Sequence, residues 1–425
     1  MKAARNSEKD PISEEELKRP CRFCRTPLEH TFIDLGVSPL SNSYLKTADL
    51  ARMEPFYPLH VYVCKNCLLV QLEELSRPED IFTEYAYFSS FSESWLEHAR
   101  RFAHQAVKRF NLSEQSLVVE IGSNDGYLLK YFKEQGVLVL GIEPALNVAR
   151  VAKEKGLETR VSFFSAAVAE ELSLEGKKAD LVVGNNVLAH IPDTRDLMRG
   201  LKTLLKPGGV VSMEFPHLLS LMEQNQYDTI YHEHYSYFSL TAADQIFSAY
   251  DLCIYDLEEL TTHGGSLRIY ACLAGNESFK RTTRVEDFLK REEDQGLKEL
   301  RTYLNFGERV KKSKLDILKF LIRAKEAGLE VCGYGAPAKG NTLLNYCGIG
   351  PELIAYTVDL NPYKEGCYLP GSRIPIYSPE HIFKTRPDYI LILPWNLKTE
   401  IIDQMAGVRE WGAKFVTLIP EIKVT

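Results

Sequence analysis

Nowhere in the 425 residues does an apolar run approach the roughly 18 to 20 needed to cross a bilayer, so no spanning helix is expected and no membrane partner. Positive charge is also short: 51 Lys and Arg stand against 58 Asp and Glu, for a net charge of -7. Without a global positive field to gather a polyanion, nucleic acid is excluded as a partner and any phosphate must be held locally. The charged opening MKAARNSEKDPISEEELKRP has no signal-peptide core, which makes the cytoplasm the expected compartment. Short-period repeats and low-complexity tracts are missing, and with no obvious coiled coil the expected state is a monomer. Cysteine is too sparse and too odd in number, at nine, for a secreted disulfide framework.

What is present suits a soluble protein with real cores, at 45% apolar and 26% charged residues. The length exceeds what one core usually serves. The text divides into a polar extension (1–20), short strand-like runs broken by Pro, Gly and Cys (21–80), an alternating strand-helix stretch (81–275), two charge-rich connecting helices (276–330) and a second, smaller strand-glycine-helix unit (331–425). Alternation of this kind predicts an α/β fold in which a parallel sheet is covered by helices.

Four of the nine cysteines form two tight pairs, Cys21-x-x-Cys24 and Cys64-x-x-Cys67, forty positions apart. Each pair has the spacing to grip one face of a tetrahedral ion, and four thiolates would fill the coordination sphere. The expected metal is therefore a structural zinc. Cys253, Cys272, Cys332, Cys347 and Cys367 are scattered and read as buried, reduced thiols.

In VVEIGSNDGYLL a strand ends in Glu120, Gly122, Ser123, Asn124 and Gly126 before a helix. The glycines admit close backbone approach, and the helix start offers free amides. The next strand ends in Glu143 and Pro144, where a carboxylate can accept both hydroxyls of a ribose. A third strand runs into Asn185, Asn186 and His190, and a helix leads to LLKPGGVVSMEF. That order resembles the class I S-adenosylmethionine methyltransferases.

The densest polar-aromatic cluster is YDTIYHEHYSYFSL, holding Tyr227, Tyr231, His232, Glu233, His234, Tyr235 and Tyr237. It is not the zinc-protease H-E-x-x-H, because Ser236 stands where the second histidine would be. Glutamate between two histidines, with phenols beside them, is an acid-base set.

With these segments, and with DLGVSPLSNSYL, YAYFSSFSESW and GYGAPAKGNTLLNY, the chain resembles the nucleotide-sugar C-methyltransferases over nearly everything after about residue 20. The family is best known for C3-methylation of 4-keto deoxysugars. The resemblance implies a zinc domain and a C-terminal Rossmann-like domain flanking a central methyltransferase, with the sugar nucleotide, dTDP- or GDP-linked, in the cleft. It implies His234 as general base, Glu233 and Tyr231 beside it, and His190 and Tyr85 lining the same pocket. Tyr87, two positions along the same YAYF motif, is the alternative to Tyr85. Glu233 would orient His234 as a carboxylate orients a triad histidine. His232 and the C-terminal unit would hold the substrate: Tyr334, Gly335, Lys339, Asn341 and Thr342 at the glycine turn, Asp359 as a ribose acid, and Trp395 near the base. Two other readings stay open, an NAD-dependent nucleotide-sugar oxidoreductase or epimerase using Gly333-x-Gly335, and a non-catalytic nucleotide-sugar-binding protein.

Overall fold

The computed structural model describes residues 19–74, 89–91 and 93–425. After the first cysteine pair come β1 (His30–Ser38), β2 (Tyr57–Val63) and β3 (Val70–Leu72), an antiparallel meander. So small a piece cannot bury enough surface alone. It solves this by sharing cores with its neighbours: Phe32, Leu35, Leu59, Val61, Val63, Val70 and Leu72 pack into one core shared with the C-terminal part of the chain. The cysteines and Leu69 pack into another, shared with the central part.

The strand-helix text beyond residue 117 supplies the crossovers a parallel sheet requires. β4 (Leu117–Ile121), β5 (Leu138–Ile142), β6 (Thr159–Arg160), β7 (Ala179–Asn185) and β8 (Leu205–Pro216) run parallel in the order β6-β5-β4-β7-β8. β9 (Ser236–Tyr237) leaves this domain to pair with β3 as the fourth strand of the N-terminal sheet. A hairpin that the sequence pattern does not announce, β10 (Leu252–Leu260) and β11 (Ser266–Leu273), completes the central sheet, with β11 antiparallel between β8 and β10. A dinucleotide-binding sheet continues 3-2-1-4-5-6; here a reversed strand takes the sixth place, which is the class I methyltransferase arrangement.

In place of two connecting helices there are three: Thr283–Asp294, the single-turn Leu300–Leu304 and the long Phe306–Glu326. Phe306 stacks on Phe32 of β1, with ring centroids 4.8 Å apart, so the long helix is part of the core rather than a linker. The last sheet is β12 (Val331–Tyr334), β13 (Thr357–Val358), β14 (Ile376–Tyr377), β15 (Tyr389–Ile392), β16 (Lys414–Thr417) and β17 (Lys423–Val424). Its order is β14-β13-β12-β15-β16-β17, again 3-2-1-4-5 with a reversed sixth strand. Of the five scattered cysteines, Cys272, Cys332 and Cys347 are buried as expected, whereas Cys253 and Cys367 are only half-buried, being on a sheet edge and a loop. Among the described residues no helix is long and apolar enough to cross a membrane.

Glu292 ties the connecting helices to the central domain. Fully buried, it accepts from the backbone amides of Leu240 (2.6 Å) and Thr241 (2.7 Å), from the Thr241 hydroxyl, and pairs with His217 Nε2 at 2.6 Å. Removing such an acceptor leaves buried donors without partners, at about 3 to 5 kcal/mol. Glu292→Ala should therefore lower unfolding stability by about that much, read as a shift of the denaturation midpoint in urea with no change of slope.

Candidate active site

The two cysteine turns have the same backbone. Arg25 and Leu68, each following a pair, adopt positive φ (64° and 58°), and their amides donate to the carbonyls of Cys21 (3.1 Å) and Cys64 (2.9 Å). The four sulfurs lie within 4.8 Å of one another, with Cys21–Cys67 at 3.5 Å and Cys24–Cys64 at 3.4 Å. A tetrahedron of sulfurs about 2.3 Å from zinc has an edge of about 3.8 Å, so the set fits the ion closely and leaves no open position. Hydrogen bonds from neighbouring thiols hold Cys21 far below the usual thiol range, while the same coupling pushes Cys64 up to about 11. Gln71, buried on β3, supports the cluster by donating to Cys21 Sγ (3.2 Å) and accepting from the Arg22 amide (2.8 Å).

At the carboxyl ends of β4 and β7 is a crevice whose polar groups lack partners. Ser123 Oγ, both amide atoms of Asn185 and Asn186 Oδ1 are buried with no hydrogen bond among the described residues, and the Glu120 carboxyl is fully buried beside Tyr127. Burial, with the charges of Glu143 and Asp125 adding to it, holds the Glu120 carboxyl well above its ordinary range. Orphaned groups of this kind call for a polar ligand, and a cationic amine would restore the carboxylate. Gly122 and Gly126 have φ of 65° and 77°, and a Cβ on Gly126 would lie 2.0 Å from Leu157 Cδ1, so this turn accepts only glycine. Glu143 accepts from the amides of Asn124 (2.9 Å) and Ala145 (2.8 Å), which fixes the turn and leaves a lone pair on each oxygen for a diol; Pro144, half-buried, lies between these contacts.

Beside the crevice the histidines converge. His234 has its ring 4.7 Å from that of His190 and 4.0 Å from that of Tyr231, centroid to centroid. His234 Nδ1 donates to the Thr229 carbonyl at 2.8 Å, leaving Nε2 as the basic nitrogen. The expected triad-like role of Glu233 is thereby corrected. Its carboxylate turns to the zinc domain and accepts from Asn42 Nδ2 at 2.5 Å, because the backbone carbonyl of Thr229 already occupies His234 Nδ1. The Glu233 carbonyl in turn accepts from His190 Nδ1 at 2.8 Å. His232 points away from its neighbours, bonding the Pro58 carbonyl at 3.2 Å and edging against Tyr57. Burial, then the neighbouring His190, holds His234 well below the ordinary histidine range, and burial lowers His190 to about 4. Tyr85 and Tyr87 lie outside the described residues.

The C-terminal turn contributes unevenly. Gly335 (φ 89°) packs so closely that a Cβ would lie 2.5 Å from Pro394 Cδ. Asp359 accepts from the amides of Ala336 (2.7 Å) and Asn361 (2.8 Å), the same device as Glu143, and pairs with Lys364. Asn341 donates to the Ser41 carbonyl at 2.6 Å and Thr342 to that of Ile230 at 2.8 Å, so both tie this helix to the other domains. Trp395 Nε1 donates to Asp228 at 2.6 Å, and Lys339 lies 4.6 Å over the Trp395 ring, donating to Asn396. Burial raises Asp228 to about 6 and lowers Lys339. Tyr334 turns to the opposite face of β12, where its hydroxyl donates to Gln404 at 2.8 Å.

Sequence reasoning missed a second polar cluster on the same side. Glu214, at the end of β8, is buried and bonded to Arg268, His98 (2.9 Å) and Thr262 (2.9 Å). The Arg268 guanidinium and His98, overcoming burial, hold its carboxyl down at about 2. Next to it His263 meets Asn186 Nδ2 at 2.8 Å, and Trp95 packs on it at 5.2 Å. Only the undistinguished run THGG signalled this loop in the sequence.

Comparison with known proteins places the profile of a zinc binding domain on residues 21–82, a methyltransferase domain on 95–257 and a C-methyltransferase C-terminal domain on 261–420. The chain is 38% identical to the C-methyltransferase NovU of Streptomyces niveus, over 96% of this chain and 98% of that one. A ubiquinone biosynthesis O-methyltransferase of Colwellia psychrerythraea is 33% identical over 22% of this chain and 39% of its own length. Among solved structures, the magnesium protoporphyrin IX methyltransferase of Synechocystis PCC 6803 superposes with a TM-score of 0.34 at 17% identity, over 42% of this chain and 83% of that one.

Since β9 pairs with β3 next to the cysteines, loss of the metal should reach the histidines. Atomic absorption should find zinc in the native protein and none in Cys64→Ser. The substitution should also increase amide hydrogen exchange at residues 232–237; unchanged exchange there would separate the metal from the histidine loop.

Proposed function

This chain belongs to the S-adenosylmethionine-dependent C-methyltransferases that carry an N-terminal zinc domain, and from that premise we propose that it methylates C3 of a nucleotide-linked 4-keto deoxysugar. The observation that carries the reading is His234, a neutral imidazole whose Nδ1–H is given to the Thr229 carbonyl so that Nε2 is left as the basic nitrogen.

S-adenosylmethionine, when bound, supplies a sulfonium methyl to which carbon can be joined. Glu120, Ser123, Asn185 and Asn186 would hold its polar ends, and Glu143 its ribose. A sugar C–H is far too weak an acid unless an adjacent ketone takes up the charge, so the substrate is a keto sugar. His234 Nε2 removes the α-proton, and its Nδ1–H becomes a stronger donor to the Thr229 carbonyl as the ring gains charge. Tyr231, its ring tilted against that of His234, lines the same pocket. The Gly335 turn and Lys339 take the diphosphate, with backbone amides and one local cation replacing the global field that the chain lacks. Asp359 and Trp395 flank the nucleoside end, Asp359 through the lone pairs its amide contacts leave.

Incubation of the protein and S-adenosylmethionine with a panel of dTDP- and GDP-linked 4-keto deoxysugars should add one methyl to a member of the panel, seen by mass spectrometry. No gain on any keto sugar, with a gain on some other carbon acid, would replace this substrate class.

Burial disfavours the imidazolium, so His234 stays unprotonated, and active, to pH values below the ordinary histidine range of about 6.5. The acid limb of kcat/KM should therefore fall below pH 6.5. His234→Ala should keep S-adenosylmethionine binding by calorimetry and lose roughly 10²- to 10⁴-fold in kcat.

A further inference from the structure

Three imidazoles face the cleft, and the positions of their protons differ. His190 and His234 each donate Nδ1–H to a backbone carbonyl, so as neutral rings both present Nε2 as an acceptor. His263 is held the other way. Its Nε2 accepts from Asn186 Nδ2 at 2.8 Å, which leaves the ring proton on Nδ1, and Nδ1 meets no partner among the described residues.

The loop that presents His263 is held by contacts on every side. His263 adopts φ 52°, ψ 21°, uncommon for a residue with a side chain. Gly264 and Gly265 follow at φ 88° and 117°, and a Cβ on either would lie 2.3 Å from Trp395 or 2.7 Å from Ser220. Gln226 donates to the Gly264 carbonyl at 2.7 Å, and Thr262 to Glu214 at 2.9 Å. A residue kept at an unfavourable φ by so many contacts marks a position whose orientation matters. Asn186 and Trp95 meet the His263 ring, and Trp395 packs against the next residue, Gly264.

We propose that His263 is a further catalytic residue, a neutral imidazole whose Nδ1–H donates to the ketone oxygen of the substrate and stabilises the enolate. The inference rests on the keto-sugar reading above. In the step, the α C–H electron pair becomes the carbon-carbon π bond, the carbonyl π pair moves to oxygen, and the proton goes to His234 Nε2. His263 keeps its own proton and supplies only the hydrogen bond. Burial, followed by the cationic Lys339, lowers His263 to about 4, so the ring is neutral at working pH and acts as a donor in a site from which water is largely excluded. His190 cannot replace it while its Nδ1–H is given to Glu233.

The test is deuterium exchange of the α-proton of the 4-keto sugar nucleotides in D2O, followed by NMR with the full-length zinc protein and no methyl donor. His263→Gln puts its amide near the Nε2 position; His263→Asn puts it near Nδ1 and also tolerates positive φ. Exchange should fall about 10²- to 10³-fold in the Gln variant and stay within about tenfold of the native rate in the Asn variant. Thermal unfolding and zinc content, unchanged in both, separate this from misfolding. Native-rate exchange in His263→Gln, or an equal loss in both folded variants, overturns the role of Nδ1. If the native protein exchanges no keto sugar, the substrate reading fails instead.

Discussion

A backbone pairing of two residues ties the central domain to the zinc-bearing sheet. Ser236 and Tyr237 leave the central domain to lie against Gln71 and Val70, making the end of the histidine loop an edge strand of the zinc-bearing sheet. The Leu72 amide extends the ladder by donating to the Tyr235 carbonyl at 2.9 Å. His234 is thus two residues from a strand whose opposite neighbour, Gln71, donates to a zinc-ligand sulfur. The four cysteines are thereby linked through Gln71 and β3 to the histidine loop, and Asn42 on Glu233 adds a side-chain tie from the same domain.

The central and C-terminal sheets solve one problem with the same parts. In each, the glycine that follows the first strand donates its amide to the carbonyl before an acidic residue, Gly122 to Ile142 and Gly335 to Val358. That acid, Glu143 or Asp359, then accepts one amide from the glycine turn and one from two residues beyond itself. A turn fixed in this way presents its remaining amides in a set geometry at no further entropic cost when a ligand arrives. The domains diverge in what surrounds the turn: in the first, the Asn185 amide is buried without a partner among the described residues, whereas Asn341 and Thr342 of the second are committed to holding the domains together.

The parts legible in the sequence are those whose chemistry is local. Cys-x-x-Cys spacing, glycine at positive φ, a carboxylate at a strand end and a His-Glu-His run each follow from neighbouring residues. The hairpin of β10 and β11 was hidden, because buried strands such as SLRIYACL lack the polar alternation that marks a half-exposed one. Likewise the Glu214, His98, Arg268 and Thr262 cluster joins residues from four segments, and no spacing in the chain announces it.

The sequence by itself determined the fold class, the metal ligands and the residue types of the candidate site, because each is set by short-range geometry and composition. Tertiary structure decided which atom of each residue is available. Glu233 faces Asn42 and leaves His234 to a backbone carbonyl, Tyr334 turns to the far side of its strand, and His263 offers the opposite nitrogen from His190 and His234. A titratable group's role depends on which of its lone pairs and protons the folded chain has already used, and those partners come from residues far away in sequence.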